Sequence, residues 1–249
     1  GDRYEVDFDA FEAAITDRTR TFILCNPHNP VGRVYERGEL EQMAEICLRH
    51  NVVICSDEIH CDLLFSGHEH IPIASLAPEV ARKTITLMAP SKTFNIAGLK
   101  CSFAVIQDEA LRERYRAAHA GLVSGVNLFG YAAALAAYSE GQEWLLQVLA
   151  YLEGNRDLLL DYVAKELPGI EMVVPEGTYL AWLDCRAAGI PGKPGAFFLE
   201  AARVALNDGE WFGPGGEGFV RLNFACTRAL LQEALERMRG ALQRIKGSG

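Results

Sequence analysis

Four short apolar runs fall within the first 106 residues: Thr21–Cys25 (TFILC), 52–56 (VVICS), Thr84–Met88 (TITLM) and 101–106 (CSFAVI). Each is apolar almost throughout rather than alternating, which is the pattern of a strand covered on both faces. Between the first two, residues 38–50 carry Leu40, Met43, Ala44 and Cys47 at helical spacing, and Asn51 is placed to end that helix. Strand, helix, strand in this order predicts a parallel sheet covered by helices. The third and fourth runs are too close for a crossover helix, so that pair is predicted to be antiparallel.

The second half has a different character. Residues 131–138 are alanine-rich and helical, and 142–167 hold a long helical pattern that is interrupted at Gly154 and stops at Pro168-Gly169. Short strand candidates follow at 170–174, 179–184 and 219–224, then an amphipathic helix from about Thr227 to Ile245. This is an α+β set separate from the first sheet. The spacing therefore predicts two domains, 1–140 and 141–249.

Strand ends are where open α/β sheets present ligand groups. The first run leads into 26–32 (NPHNPVG), where two Asn-Pro steps force a sharp loop; the second into Ser56-Asp57-Glu58-Ile59-His60; the third into Ala89-Pro90-Ser91-Lys92. A lone lysine after a strand is ordinarily a solvated surface residue. An acid at one strand end, a lysine at the next and an asparagine before both form a less ordinary set.

The blocks 26–32, 56–62 (SDEIHCD), 91–98 (SKTFNIAG), 177–184 (GTYLAWLD) and 218–225 (GFVRLNFA), in that order, resemble the signature of fold-type I pyridoxal-phosphate enzymes of the class I/II aminotransferase superfamily. DEIHCD followed by 67–72 (GHEHIP) is most similar to the MalY/PatB-type cystathionine β-lyase branch. The resemblance implies an α/β fold of the pyridoxal-phosphate transferase type. Residues 1–140 would be part of its mainly parallel cofactor-binding large domain, and 141–249 its small α+β domain.

It also implies roles. Lys92 would link covalently to pyridoxal 5'-phosphate and then act as the base at Cα, since a neutral amine is both nucleophile and base. Asp57 would face the pyridine nitrogen and keep it protonated, Asn29 would donate to the ring oxygen, and Ser91 and Lys100 would hold the phosphate. His60 stands where many aminotransferases carry a tyrosine that contacts the same ring oxygen. Arg221 would grip the substrate carboxylate with its planar fork. Ordinary structural alternatives stand beside these roles. Asp57 is also placed to cap a helix starting at Glu58, His60 to pack in the second layer, and Arg221 to be a paired structural arginine. Lys100 falls where the superfamily often has an arginine.

The activity implied is carbon–sulfur β-elimination from a cystathionine- or cysteine-type amino acid, giving a thiol, pyruvate and ammonia. An aminotransferase using the same residues is the first alternative, and a truncated, non-catalytic fragment the second. In this family roughly the first third of the polypeptide precedes the point matched by Gly1, including the main phosphate loop and the ring-stacking aromatic, so an N-terminally truncated fold is expected. Gly247-Ser248-Gly249 reads as a flexible tail.

Composition limits the rest. With 24 Lys+Arg against 33 Asp+Glu, the net charge is −9, which argues against a nucleic-acid partner held by a basic surface. No run approaches a spanning helix, so no membrane association is expected. Seven cysteines, an odd number spread through apolar stretches, do not form a secreted disulfide framework, and with no visible targeting segment they point to the cytoplasm. No paired CxxC or HExxH spacing accompanies His60-Cys61 or His68-Glu69-His70, so no metal is expected. The partners expected are a small amino acid and, as in the family, a second copy in a homodimer.

Overall fold

The computed structural model describes residues 3–246, so the Gly1-Asp2 opening and the Gly247-Ser248-Gly249 tail lie outside the described residues. The chain divides into two compact units, one made of Glu5–Pro27 and Val34–Gln147, the other of Gly1–Tyr4, His28–Arg33 and Val148–Gly249.

In the first unit, helix α1 (Phe8–Ala13) precedes strand β1 (Thr21–Cys25), helix α2 (Arg37–Arg49) and strand β2 (Val53–Asp57). Helix α3 (Pro78–Arg82), strand β3 (Thr84–Met88), the single turn α4 (Pro90–Thr93) and strand β4 (Phe103–Val105) follow, then α5 (Glu109–His119), α6 (Leu128–Glu140) and the start of α7 (Gln142–Glu166). The sheet order is β1-β2-β3-β4; β1, β2 and β3 are parallel and β4 runs antiparallel to β3, as the short connection requires.

Local signals set the helix ends. Glu36 and Glu39 form a capping box at the start of α2, and Asn51, in the left-handed region at φ 55°, follows its end. Asp7, Asp108 and Asn127 cap α1, α5 and α6 through their side-chain oxygens. Leu40, Met43, Ala44 and Cys47 of α2 pack on Leu24, Val52 and Ile54. Each such fully buried Leu or Ile contributes about 1.5–3 kcal/mol.

The expectation of strands covered on both faces needs correction at the sheet edges. Ile23 on β1 is 72% exposed, and Phe103 and Val105 on β4 are exposed as well. In β1, Phe22 and Leu24 take the face toward α2, which leaves Ile23 pointing the other way.

In the second unit, α7 continues to Glu166 and is followed by strands β5 (Glu171–Met172) and β6 (Leu180–Asp184), the short helix α8 (Pro194–Phe197), strands β7 (Asn207–Asp208) and β8 (Phe219–Asn223), and helix α9 (Arg228–Lys246). The antiparallel sheet has the order β5-β6-β8-β7. Leu159 and Val163 of α7, Leu167 just after it, Leu183, Val220 and Phe224 of the sheet region, and Leu231, Leu235 and Met238 of α9 are buried.

Candidate active site

Strand β2 ends one residue later than its apolar run. Asp57 pairs with Cys25 on one side and Leu87 on the other, and its carbonyl accepts from Asn26 N at 3.0 Å. Asp57 is therefore the last strand residue, at the C-terminal edge of the parallel strands. No helix begins at Glu58; residues 59–62 form a turn, so the helix-cap alternative for Asp57 does not hold. Its Oδ1 instead accepts from Ile59 N at 3.2 Å, an Asx-type turn. Asp57 is half-buried and makes no ion pair among the described residues.

From the end of neighbouring β3, Ala89-Pro90 opens α4, which carries Ser91 and Lys92; proline at the first helical position suits so short a turn. Lys92 is half-buried and, like Asp57, has no charge partner among the described residues. Thr93 Oγ1 donates to Asp62 Oδ2 at 2.8 Å, tying α4 to the segment that follows Asp57. Lys100 is exposed, in the left-handed region at φ 50° after a single 3-10 turn. His60 is buried, and its carbonyl accepts from Leu63 N.

The structure adds a buried group that the sequence reading did not single out. Ser56 Oγ donates to Glu58 Oε1 at 2.8 Å, and His70 Nε2 lies 2.9 Å from Glu58 Oε2. Strand alternation carries the signal. Ile54, Ser56 and Glu58 share the buried face, and a buried acid requires partners.

The other candidates lie in the second unit. The segment His28–Arg33 turns back on itself, with His28 N donating to Arg33 O and Gly32 N to His28 O, both at 2.7 Å. Gly32 O then accepts from Glu176 N and Gly177 N, and the buried Arg33 pairs with Glu176 at 3.4 Å. Both Asn-Pro bonds of the loop are cis. This placement brings Asn29 to β8, where Arg221 Nη1 donates to Asn29 Oδ1 at 2.8 Å and Nη2 to Asn207 Oδ1 at 2.9 Å.

The Arg221 guanidinium also lies over the Phe212 ring, 4.8 Å from its centroid. Its buried Nε has no hydrogen-bond partner. Burial pushes the Arg221 value below that of an ordinary arginine and the neighbouring Tyr179 phenol above its own. Arg221 is thus held by two neutral amide oxygens and an aromatic face, with no carboxylate among the described residues, unlike a paired structural arginine. Asn207 and Phe212 were missed in the sequence because a two-residue strand and one 3-10 turn leave no periodic signal.

The family model for aminotransferase class I and II matches residues 1–238, and the chain belongs to that family. It is 43% identical over 242 residues to cystathionine β-lyase PatB of Bacillus subtilis, across 96% of this chain and 62% of that one. Protein MalY of Escherichia coli is 33% identical, across 98% and 63% of the two chains. Among solved structures, cystalysin from Treponema denticola, which contains a pyridoxal 5'-phosphate cofactor, superposes with a TM-score of 0.93 at 36% identity, covering 98% of this chain and 63% of that one. The chain spans about three fifths of the length of the curated relatives it matches.

Proposed function

We propose that the chain is the cofactor-lysine-bearing part of a pyridoxal-phosphate-dependent carbon–sulfur β-lyase acting on a cystathionine- or cysteine-type amino acid. The observation that carries this reading is the pair of half-buried, unpaired opposite charges, Asp57 and Lys92, at the ends of neighbouring parallel strands. Charges withdrawn from water without partners are costly, and this donor set fits the cofactor. Within the first unit it offers an amine for its aldehyde, a carboxylate for its ring nitrogen, and Ser91 and Lys100 for its phosphate, with His60 in the Asp57 turn. The role of Asn29 toward the ring oxygen rests on the family resemblance.

Bound there, pyridoxal phosphate supplies the carbonyl that captures an amino-acid amine and the ring that accepts the electrons left at Cα. Asp57 keeps a proton on the ring nitrogen. Arg221, charged and without a carboxylate of its own, binds the substrate carboxylate. Lys92 would take the Cα proton; the thiolate would then leave Cβ, and hydrolysis of the released enamine by water would give pyruvate and ammonia.

On this reading 1–140 belongs to the cofactor-binding large domain and 141–249 to the small domain. The assembly is a homodimer, with no nucleic-acid partner. The cytoplasm is proposed from the odd, scattered cysteine pattern of the sequence, and among the described residues no helix is long and apolar enough to cross a membrane.

Two measurements test the reading. Borohydride reduction with pyridoxal phosphate, followed by peptide mapping, is expected to label Lys92; a label on Lys83 or Lys100 overturns the assignment. Pyruvate release from cystathionine without a keto-acid acceptor is the lyase outcome. Turnover that requires such an acceptor is the aminotransferase outcome and refutes the lyase.

A further inference from the structure

We propose that His70 is a positioning residue for Asp57, acting through the buried chain His70–Glu58–Ser56; this rests on the role given to Asp57 above. Glu58 is 1% exposed, and both of its carboxylate oxygens are used, Oε1 by Ser56 Oγ at 2.8 Å and Oε2 by His70 Nε2 at 2.9 Å. Its backbone N donates to Leu87 O at 3.0 Å. Glu58 is therefore fixed at main chain and side chain together.

Asp57 is held far less firmly. Its side chain accepts a single hydrogen bond, from Ile59 N at 3.2 Å, and has no ion pair among the described residues. Successive residues at a strand end point to opposite faces, so the direction of Asp57 is set by the residue anchored next to it. That residue is Glu58.

His70 reaches Glu58 from the segment 67–72. The adjoining Ile71 and Ile73 pack into the core of α2 and the sheet, which fixes where the imidazole can stand. Its other ring nitrogen, Nδ1, is buried without a hydrogen-bond partner. An unpaired buried nitrogen costs stability, so a side chain serving only to fill space would not need to be a histidine. The geometry that requires an imidazole here is the bond to Glu58.

The test compares His70→Leu with His70→Gln, whose amide nitrogen reaches the position of Nε2, in the chain as it stands. Two quantities are read: hydrogen exchange at the Ile59 amide, and the dissociation constant of added pyridoxal phosphate followed by its visible absorbance. His70→Leu should speed exchange at Ile59 and weaken cofactor binding about tenfold or more, the scale seen when an outer partner of a ligand residue is lost. His70→Gln should restore both. Ser56→Ala, which removes one of the two bonds to Glu58, should have a smaller effect of the same kind and serves if His70→Leu does not fold. Ile106→Val, a truncation at a buried position outside both the chain of bonds and the cluster that seats His70, should leave the cofactor constant unchanged.

Wild-type values in His70→Leu, or equal weakening by Ile106→Val, overturn the proposal while leaving the role of Asp57 intact. If Asp57→Ala binds pyridoxal phosphate as tightly as wild type, the role given to Asp57 falls, and the His70 proposal with it.

Discussion

Asn29 and Arg221 stand 192 positions apart in the sequence, and Arg221 Nη1 donates to Asn29 Oδ1 at 2.8 Å. The bond joins the first polar loop after β1 to the central part of β8. It leaves Arg221 oriented by an oxygen that carries no charge, so the cation stays available to an anionic ligand. An aspartate at position 29 would orient the guanidinium equally well and neutralise it.

Arg221→Lys should therefore separate charge from geometry. A lysine keeps the cation but cannot bridge Asn29 and Asn207 while presenting a two-donor fork. In the full-length protein, catalytic efficiency toward cystathionine should fall by roughly 1.5–3 kcal/mol, the scale of a hydrogen bond to a charged group, while the affinity for pyridoxal phosphate changes little. Steady-state kinetics and a cofactor titration check this; loss of both together would make Arg221 a structural residue.

What the sequence made legible follows from the range of the forces involved. The runs at Thr21–Cys25 and Thr84–Met88 became strands with those bounds, and the helix read at 38–50 lies at Arg37–Arg49, because apolar periodicity and capping are local. The antiparallel turn of β4 followed from loop length alone. The excursion of His28–Arg33 into the second unit was not legible, since it depends on Gly32 meeting Pro175 and on Arg33 meeting Glu176, contacts that no local pattern encodes. Glu58 and His70 lay within blocks noticed for their resemblance. Their partnership needed the strand register to show that Glu58 is buried.

Gly32→Ala tests that long-range contact. Gly32 has φ +74°, and a Cβ there would stand 2.7 Å from Pro175 Cβ and 3.1 Å from Gly177 O. Overpacking costs about 1–3 kcal/mol, and a left-handed alanine about 1–2 kcal/mol more. Urea unfolding should show a loss on that scale. Because the same segment carries Asn29, binding of an amino-acid carboxylate should weaken too. A variant as stable as wild type would mean that the Gly32–Pro175 packing is loose.

Alkaline pH should destabilise the chain through its buried thiols. Burial pushes Cys47 up to about 11 and Cys185 up to about 12, above the ordinary thiol value of 9.0. Between those values the folded chain keeps protons that the unfolded chain has shed. The contribution is thus complete below about pH 9 and is lost as pH rises through about 11 to 12. For Cys47 of α2, fully buried in the cluster with Leu24, Val52 and Ile54, the loss by about pH 10.5 should be on the order of 1–2 kcal/mol. Melting curves at about pH 7.5 and 10.5 should show a smaller drop in Cys47→Ala than in wild type. An equal drop would assign the effect to other groups.

The first unit also exposes a group of large apolar side chains. Along α6, Leu128 is 78% and Phe129 75% exposed, and Tyr131, Leu135 and Tyr138 are exposed as well. Only Gly130 of that helix is buried. Leu122 and Val123 precede it in the open, and Ile23 is exposed on the edge strand β1. Exposed apolar patches and unpaired strand edges favour association. Light scattering on the purified 249-residue chain should therefore report oligomers or poor solubility, and the double variant Phe129→Glu/Leu135→Glu should shift it toward the monomer. Both side chains are solvent-exposed, so their replacement should cost little folding stability, on the order of 0.5 kcal/mol each. A monodisperse wild-type monomer at high concentration would show that this helix face is tolerated in water as it stands.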